Sequence, residues 1–549
     1  MKFVLLSSLL CLASASHEHY LSLMKRSEKA QDFNPAQILD LPLSASSSET
    51  IPIRYYVNST LLTSTSPIML QMGGEGTANG VSCNSDMIRN SAICLQVEHR
   101  FYGSSLPSSG GGNSNLKEGL SVLQNLEDTA TVLKKVQAEF AVPGGRPRPV
   151  VNFGGSYSGA TATWFRMTYP DLTSGAISSS GVVNAVYEFT GFDDVVKEAV
   201  GKTCAEDIDE VGRIVDGYFA GGEGGEVKGW FNSTNLIGTK MGDADFMYML
   251  ADGFSMIDQY GGKEELCDGV GKTSGSEFSD EEKVKNMRDV LFDHFGDDFG
   301  QDCYYDSECL KKENNPDAPG MMGSQNSRSW RFQKCHEVAY LQSRPAGGLR
   351  SELLTLDALE EQCSYVFGIN PKQGNDALNS RFGADRPDTK GATNVFSISY
   401  SDDPWKAASV TETLGETLPY CYTECNGCGH CGSGVKGADK EVCGDPQSRF
   451  VDQVVAQARF EGVFTDPNHP GTTRTITVKV TGGDDDVSVV GFDLDDDGTE
   501  EAWGPLEASV DGTKITVDFS SKGGPSDLQG VWDQTGKIVW SDGNEWPKK

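Results

Sequence analysis

From about residue 51 the chain alternates short apolar runs with stretches of helical spacing. Residues 53–57, 67–72, 92–97 and 150–153 are runs of the length and composition of strands. Between the last two, Leu120, Leu123, Leu126, Ala130, Leu133, Val136 and Phe140 recur near helical spacing and predict an amphipathic helix. A helix-like run at 161–167 leads to a further strand at 175–178, and another strand, 393–398, comes some two hundred residues later. Strands alternating with helices imply a mostly parallel sheet covered on both faces. Residues 17–50 are polar and read as loop.

The stretch 186–367 has a different texture, with charged helical segments at 280–294 and 333–341, glycine loops and several cysteines. An insertion of this kind between late strands reads as a cap over an active site. Its plainer reading is a helical subdomain that only adds stability. After residue 450 the pattern changes again. Residues 473–480 and 514–519 alternate with period two between Gly-Asp turns, which predicts a small all-β module at 455–549.

The segment Phe153-Gly154-Gly155-Ser156-Tyr157-Ser158-Gly159 carries the most chemistry. It sits between a strand and a helix, where α/β-hydrolases hold a nucleophile on a sharp turn. The glycines permit the bend, and the helix that follows aims its amides at charge developing on a substrate oxygen. Ser156 is therefore the candidate nucleophile. In the hydrolase order the acid and then the histidine follow the serine. Asp403 comes just after the strand at 393–398, and His430 lies in a short loop beyond it. Of the seven histidines, His17 and His19 fall at the N-terminus, His294 and His336 in the insertion, His469 in a linker, and His99 ahead of the nucleophile. Elimination favours His430. Gly73-Gly74-Glu75-Gly76 follows a strand, so the Gly74 amide with that of Tyr157 could form an oxyanion hole. The expected organisation is a signal peptide (1–16), an α/β-hydrolase domain in two parts (17–185 and 368–454), an inserted helical cap domain (186–367) and the C-terminal β module (455–549).

At these motifs the chain resembles the serine peptidases that include lysosomal Pro-Xaa carboxypeptidase, dipeptidyl peptidase II and thymus-specific serine protease. The matching residues are the glycine loop at Gly73, Glu98-His99-Arg100-Phe101-Tyr102-Gly103, the serine segment, Trp164-Phe165-Arg166-Met167, Tyr169-Pro170, Trp330, Gln333, Cys335, Glu337 and Asp403-Pro404-Trp405. The resemblance covers about 51–450, and the Gly-Gly-Ser-Tyr-Ser-Gly form looks closest to the thymus-specific branch. It implies cleavage of peptides after proline, often from one end, with Ser156, Asp403 and His430 as nucleophile, orienting acid and base. Two departures stand out. Ser399-Tyr400 replaces the family's Asn-Gly, and the histidine loop reads Gly-Cys-Gly-His-Cys. A substrate's free amine would need an anionic anchor, for which Glu75 and Glu337 are candidates. A free carboxylate would need a cation such as Arg100.

Lys2, an apolar run from Phe3 to Ala13 and a small-residue exit have the form of a secretory signal peptide. Fourteen cysteines become thirteen once Cys11 leaves, mostly paired in an oxidising compartment, with the odd one free or intermolecular. Asn58 and Asn232 head glycosylation sequons. A formal charge of −33 excludes nucleic acid as a partner and suits an acidic lumen. The expected site is therefore the secreted or lysosomal/vacuolar space, without membrane insertion. Peptides are the expected partners, with a homodimer left open, and no cofactor is expected. Cys421, Cys425, Cys428, His430 and Cys431 have zinc-like spacing, but disulfides are the expected fate in a secreted chain. Asp493, Asp495 and Asp497 begin like a calcium loop, yet the twelfth position is Gly504 where glutamate is needed, so a solvated acidic turn is the alternative. The tryptophans of the β module read as core, or else as a carbohydrate-binding face. Two other functions stay open: an inactive secreted binding protein on a hydrolase scaffold, and a hydrolase of non-peptide esters.

Overall fold

Two strands near the middle of the first sheet, β3 (Ile68–Gln71) and β4 (Ile93–Val97), are buried at every position, as a parallel sheet covered on both faces requires. The structure, a computed structural model, describes residues 35–142, 145–233, 241–312, 324–480, 487–494, 498–533 and 535–549. The signal-peptide segment and Cys11 lie outside them.

The first sheet has eight strands in the order β1-β2-β4-β3-β5-β6-β7-β8. Its other members are β1 (Gln37–Pro42), β2 (Thr50–Asn58), β5 (Val150–Gly155), β6 (Gly175–Ser179), β7 (Val395–Tyr400) and β8 (Tyr420–Thr423). β2 runs antiparallel to both its neighbours, and every pairing from β4 to β8 is parallel. This is the α/β-hydrolase fold. Alternate residues of the strands feed two cores. Ile68, Leu70, Val150, Ala176 and Val395 face α1 (Val122–Glu139) and α2 (Tyr157–Thr168). Met69, Val151, Phe153, Ile177, Phe396 and Ile398 pack with Phe450, Val451, Val454 and Val455 of a long late helix. Among the described residues, no helix is long and apolar enough to cross a membrane.

Between β6 and β7 the chain builds the helical insertion, which includes α3 (Asp243–Gln259) and α4 (Ser324–Gln333). The late helix, α5 (Asp439–Phe460), runs unbroken through the expected division at 454/455. Its last turn supplies Ala456 and Phe460 to a third core, shared with Phe464, Ile476, Ile515, Trp532, Trp540 and Trp546. That core fills the second sheet, an eight-stranded meander from β9 (Gly462–Thr465) to β16 (Glu545–Pro547) in which every neighbouring pair is antiparallel. Its first and last strands meet where Phe464 faces Lys548.

Several local expectations need correction. Residues 37–42, read as loop, form edge strand β1. Its residues alternate between partial burial and exposure, and its backbone bonds to β2 outweigh its polar composition. β8 was not foreseen, because Tyr420-Cys421-Tyr422-Thr423 is too short to show a period. Leu123 lies 40% exposed on α1, and Leu120 precedes that helix. The helix expected at 333–341 ends instead at Gln333 and gives way to a single π-helical turn, Lys334–Val338. Among the described residues, six disulfides join Cys83–Cys94, Cys204–Cys267, Cys303–Cys309, Cys335–Cys363, Cys421–Cys443 and Cys425–Cys428, and Cys431 is disulfide-bonded as well. Sulfurs held this way cannot ligate zinc, which removes that reading of the histidine loop. Asp493 is paired with Arg474 at 3.1 Å and with Lys522, so its carboxylate already has two cations. Asp495 and Asp497 lie outside the described residues. Trp532, Trp540 and Trp546 are core.

Phe460 is fully buried and meets Trp532 with ring centroids 5.9 Å apart. Phe460→Ala is expected to lower the unfolding free energy by about 3–5 kcal/mol, measured by chemical denaturation. A loss below about 1 kcal/mol would contradict the joint core of α5 and the second sheet.

Candidate active site

β5 ends at Gly155 and α2 begins at Tyr157, leaving one residue to make the turn. That residue, Ser156, has φ 57° and ψ −130°. Such a conformation costs a non-glycine residue on the order of 1–3 kcal/mol and persists only where the surroundings impose it. Here the Ser156 N–H donates to the Ser179 carbonyl at 2.9 Å, and the Ser158 hydroxyl donates back to the Gly155 carbonyl at 2.7 Å. Gly154 is required, since a Cβ there would collide with the Ser158 carbonyl and stand 2.7 Å from the Gly159 nitrogen. The turn holds Ser156 half-buried at the head of a helix.

The acid and the imidazole come from the next strand ends. Asp403, fully buried, follows β7. Its Oδ1 accepts from the Trp405 N–H at 2.9 Å and pairs with His430 Nδ1 at 2.8 Å. His430 follows β8 and is 4% exposed. With Nδ1 donating to a carboxylate, the other nitrogen, Nε2, carries the free lone pair. It is buried and has no hydrogen-bond partner among the described residues. The Cys431 N–H donates to Ser180 Oγ at 2.9 Å. The serine turn and the histidine loop are thus tied to adjacent residues, 179 and 180.

The histidine loop is heavily constrained. The Cys425–Cys428 and Cys421–Cys443 disulfides bracket it. The Gly427 N–H donates to Asp402 at 2.6 Å, and Lys263 of the insertion pairs with the same carboxylate at 2.8 Å. Gly429 has φ 65°, and a Cβ on it would stand 2.7 Å from the Gln259 carbonyl at the end of α3. The insertion therefore packs directly against this loop. Trp405, whose indole N–H donates to Gln259 Oε1 at 2.9 Å, lies 6.1 Å from the His430 ring.

Aromatic side chains cluster beside the imidazole. Trp405 meets Phe189 at 5.6 Å, Phe192 at 5.2 Å and Tyr340 at 5.4 Å, and Trp330 meets Tyr157 at 5.3 Å. Tyr340 and the residue before it both have positive φ, 50° and 57°. The Tyr340 hydroxyl donates to the Val182 carbonyl. Sequence reading missed Phe189 and Tyr340, because nothing in their spacing marks a wall assembled from two distant segments. The strained pair Ala339-Tyr340 became visible only as backbone geometry.

The remaining candidates divide. Gly74 is buried just after β3, next to the serine turn's own sheet neighbour. Glu75 lies within electrostatic reach of His430, Tyr102, Tyr157 and Tyr340, and burial raises its pKa. Glu337 accepts from the Val122 N–H at the head of α1 at 2.8 Å, and burial raises its pKa to about 7. Arg100 is spent on structure. It makes two 2.7 Å bonds to Asp128 and donates to the carbonyls of Leu43, Gly119 and Pro42, which leaves no donor for a substrate carboxylate. Glu98 likewise serves structure, accepting from Arg54, Ala78, Ser104 and Ser105. His99, set aside by elimination, proves to touch the residue after the serine, at 3.1 Å from the Tyr157 hydroxyl.

Fold and site together define an α/β-hydrolase in which a strained serine, a buried imidazole and a buried carboxylate stand at neighbouring strand ends. Comparison with known proteins gives the family. Residues 37–442 match the model of "Serine carboxypeptidase S28", and the chain belongs to this family of serine-type peptidases. It is 31% identical over 406 residues to "Probable serine protease EDA2" of Arabidopsis thaliana, covering 70% of this chain and 75% of that one. It is 26% identical over 416 residues to "Thymus-specific serine protease" of Mus musculus, covering 69% and 78%. To "Lysosomal Pro-X carboxypeptidase" of Homo sapiens it is 23% identical over 366 residues, covering 60% and 67%.

Burial also raises the carboxyl pKa values of Glu75, Glu98, Asp128, Asp193, Asp245 and Asp258, as it does for Glu337. A folded state that binds protons more tightly than the unfolded one loses stability as pH rises. For Glu337 the contribution is complete below 4.5 and is lost as pH climbs through about 7, at most about 3 kcal/mol. Glu337→Gln keeps an acceptor for the Val122 N–H and removes the titration. Its melting temperature should fall less than that of the wild type between pH 4.5 and 7; parallel falls would contradict the assignment.

Proposed function

We propose that this protein is a secreted or endolysosomal serine exopeptidase acting on short peptides at proline-containing bonds. In this reading His430 Nε2 removes the proton from Ser156, whose oxygen attacks the scissile carbonyl to form an acyl-enzyme. Asp403 holds the imidazole in the tautomer with Nδ1–H and stabilises the imidazolium. The amides of Tyr157 and Gly74 receive the oxyanion, and water later releases the acyl group by the same steps reversed. The observation that carries the reading is the buried Asp403–His430 bond at 2.8 Å with Nε2 left bare.

Specificity for proline is supported by the aromatic cluster of Phe189, Tyr340, Trp405 and Trp330 beside His430, since aromatic surroundings suit a compact apolar ring. For the substrate's end, Arg100 has no donor to offer, whereas Glu75 lies within electrostatic reach of His430. That favours anchoring a free amino terminus on Glu75. An acidic lumen is supported by the buried carboxyls and the net charge of −33. Passage through the secretory pathway fits the sequons at Asn58 and Asn232, of which Asn232 is exposed.

A fluorophosphonate should label the wild type and leave Ser156→Ala unmodified; equal labelling of both would dismiss Ser156 as nucleophile. With a proline-containing test peptide, acetylating the amine should abolish cleavage while amidating the carboxyl end should not. Cleavage of a doubly blocked peptide would defeat the exopeptidase claim.

A further inference from the structure

The residue after the nucleophile is held by a chain of hydrogen bonds that starts in the helical insertion. Tyr157 is fully buried, so the place of its side chain also fixes the direction of its backbone amide. Its hydroxyl lies 2.7 Å from Gln333 Nε2 and 3.1 Å from His99 Nε2. Gln333 Oε1 accepts from the Tyr102 hydroxyl at 2.5 Å. His99 Nδ1 lies 2.7 Å from the Arg100 carbonyl.

The direction of every bond follows from what each atom can do. A carbonyl only accepts, so His99 carries its proton on Nδ1 and its Nε2 is a lone-pair acceptor. The Tyr157 hydroxyl must therefore give its single proton to His99. Its remaining lone pairs then need a donor, and the Gln333 amide N–H supplies one. Reversing that amide would set an oxygen against a hydroxyl whose proton is already used. Burial holds the His99 pKa down at about 3, so the imidazole stays neutral and the chain keeps its polarity from acid to neutral pH. Gln333 is itself fixed. It ends α4, directly before the π-helical turn, and Cys335 two residues on is bonded to Cys363. Trp330, one turn earlier on α4, packs on the same tyrosine ring.

We propose that Gln333 is a positioning residue for catalysis: by donating to the Tyr157 hydroxyl, it lets the inserted helical segment set the oxyanion-binding amide of Tyr157. The proposal rests on the reading of Ser156 and Tyr157 given above. It assigns the insertion a part in the chemical step, distinct from roofing the cleft or adding stability.

Gln333→Glu tests this without a known substrate, through the rate constant for inactivation by a fluorophosphonate, whose phosphoryl oxygen would occupy the same amides. Protonated, the new side chain can still donate to Tyr157 and accept from Tyr102. Ionised, it can only accept, and the Tyr157 hydroxyl faces two acceptors with one proton. The other ionisable groups around the tyrosine are Glu75, Glu337, His99, Tyr102 and Tyr340. They are present in both proteins, so their contribution cancels in the ratio of variant to wild type. That ratio should be near one in acid and fall roughly tenfold or more as pH rises, within the range seen for a lost oxyanion donor. Gln333→Leu should be slow at every pH. Should the charged variant fail to fold at neutral pH, Tyr157→Phe and Tyr157→Phe with Gln333→Leu replace it: the double variant should be no slower than the single. A flat ratio for Gln333→Glu, or additive losses in the double variant, would overturn the proposal while Ser156 is still labelled. Loss of Ser156-dependent labelling in the wild type would instead overturn the underlying reading.

Discussion

The site depends on one asymmetric arrangement: a buried imidazole paired through one nitrogen to a buried carboxylate, with its other nitrogen bare. A buried polar atom without a partner costs on the order of 1–3 kcal/mol, so a fold does not keep one without compensation. Here the compensation is spread through the loop around it. Two disulfides, the Gly427–Asp402–Lys263 bridge and the bond from the Cys431 N–H to Ser180 hold the loop, and Asp403 holds the ring by its other nitrogen. On the proposed reading, the missing partner is the Ser156 hydroxyl of the reacting complex.

The helical insertion enters this arrangement from two sides. The end of α3 and Lys263 brace the histidine loop, while the end of α4 reaches the serine turn through Gln333 and Trp330. Its π-helical turn and the strained Ala339-Tyr340 pair then bring an aromatic ring against Trp405. Three distant stretches of chain thus meet around the imidazole and the serine turn. The second sheet, by contrast, packs on the far end of α5 and shares its core with that helix's last turn.

Much of the fold was legible because parallel strands, buried on both faces, must be apolar throughout. Residues 67–72, 92–97, 150–153, 175–178 and 393–398 carry that signature. Edge strand β1 and the short β8 do not, since one is half exposed and the other has four residues. Ser156, Asp403 and His430 are candidates from the sequence because turn chemistry and chain order leave a linear trace. Arg100 could not be judged in the same way: its charge suggested a substrate anchor, and only its partners, Asp128 and the carbonyls of Leu43, Gly119 and Pro42, reveal a structural role. His99 was passed over for the converse reason. Its contact with Tyr157 spans 58 residues and has no counterpart in local pattern.

A crystal structure of the protein after reaction with a fluorophosphonate tests the central claim most directly. The account predicts phosphorus bonded to Ser156 Oγ, His430 Nε2 within hydrogen-bond distance of that oxygen, and the phosphoryl oxygen on the amides of Tyr157 and Gly74. Phosphorus on another residue, or an imidazole at position 430 standing clear of the adduct with Asp403 still attached, would contradict it.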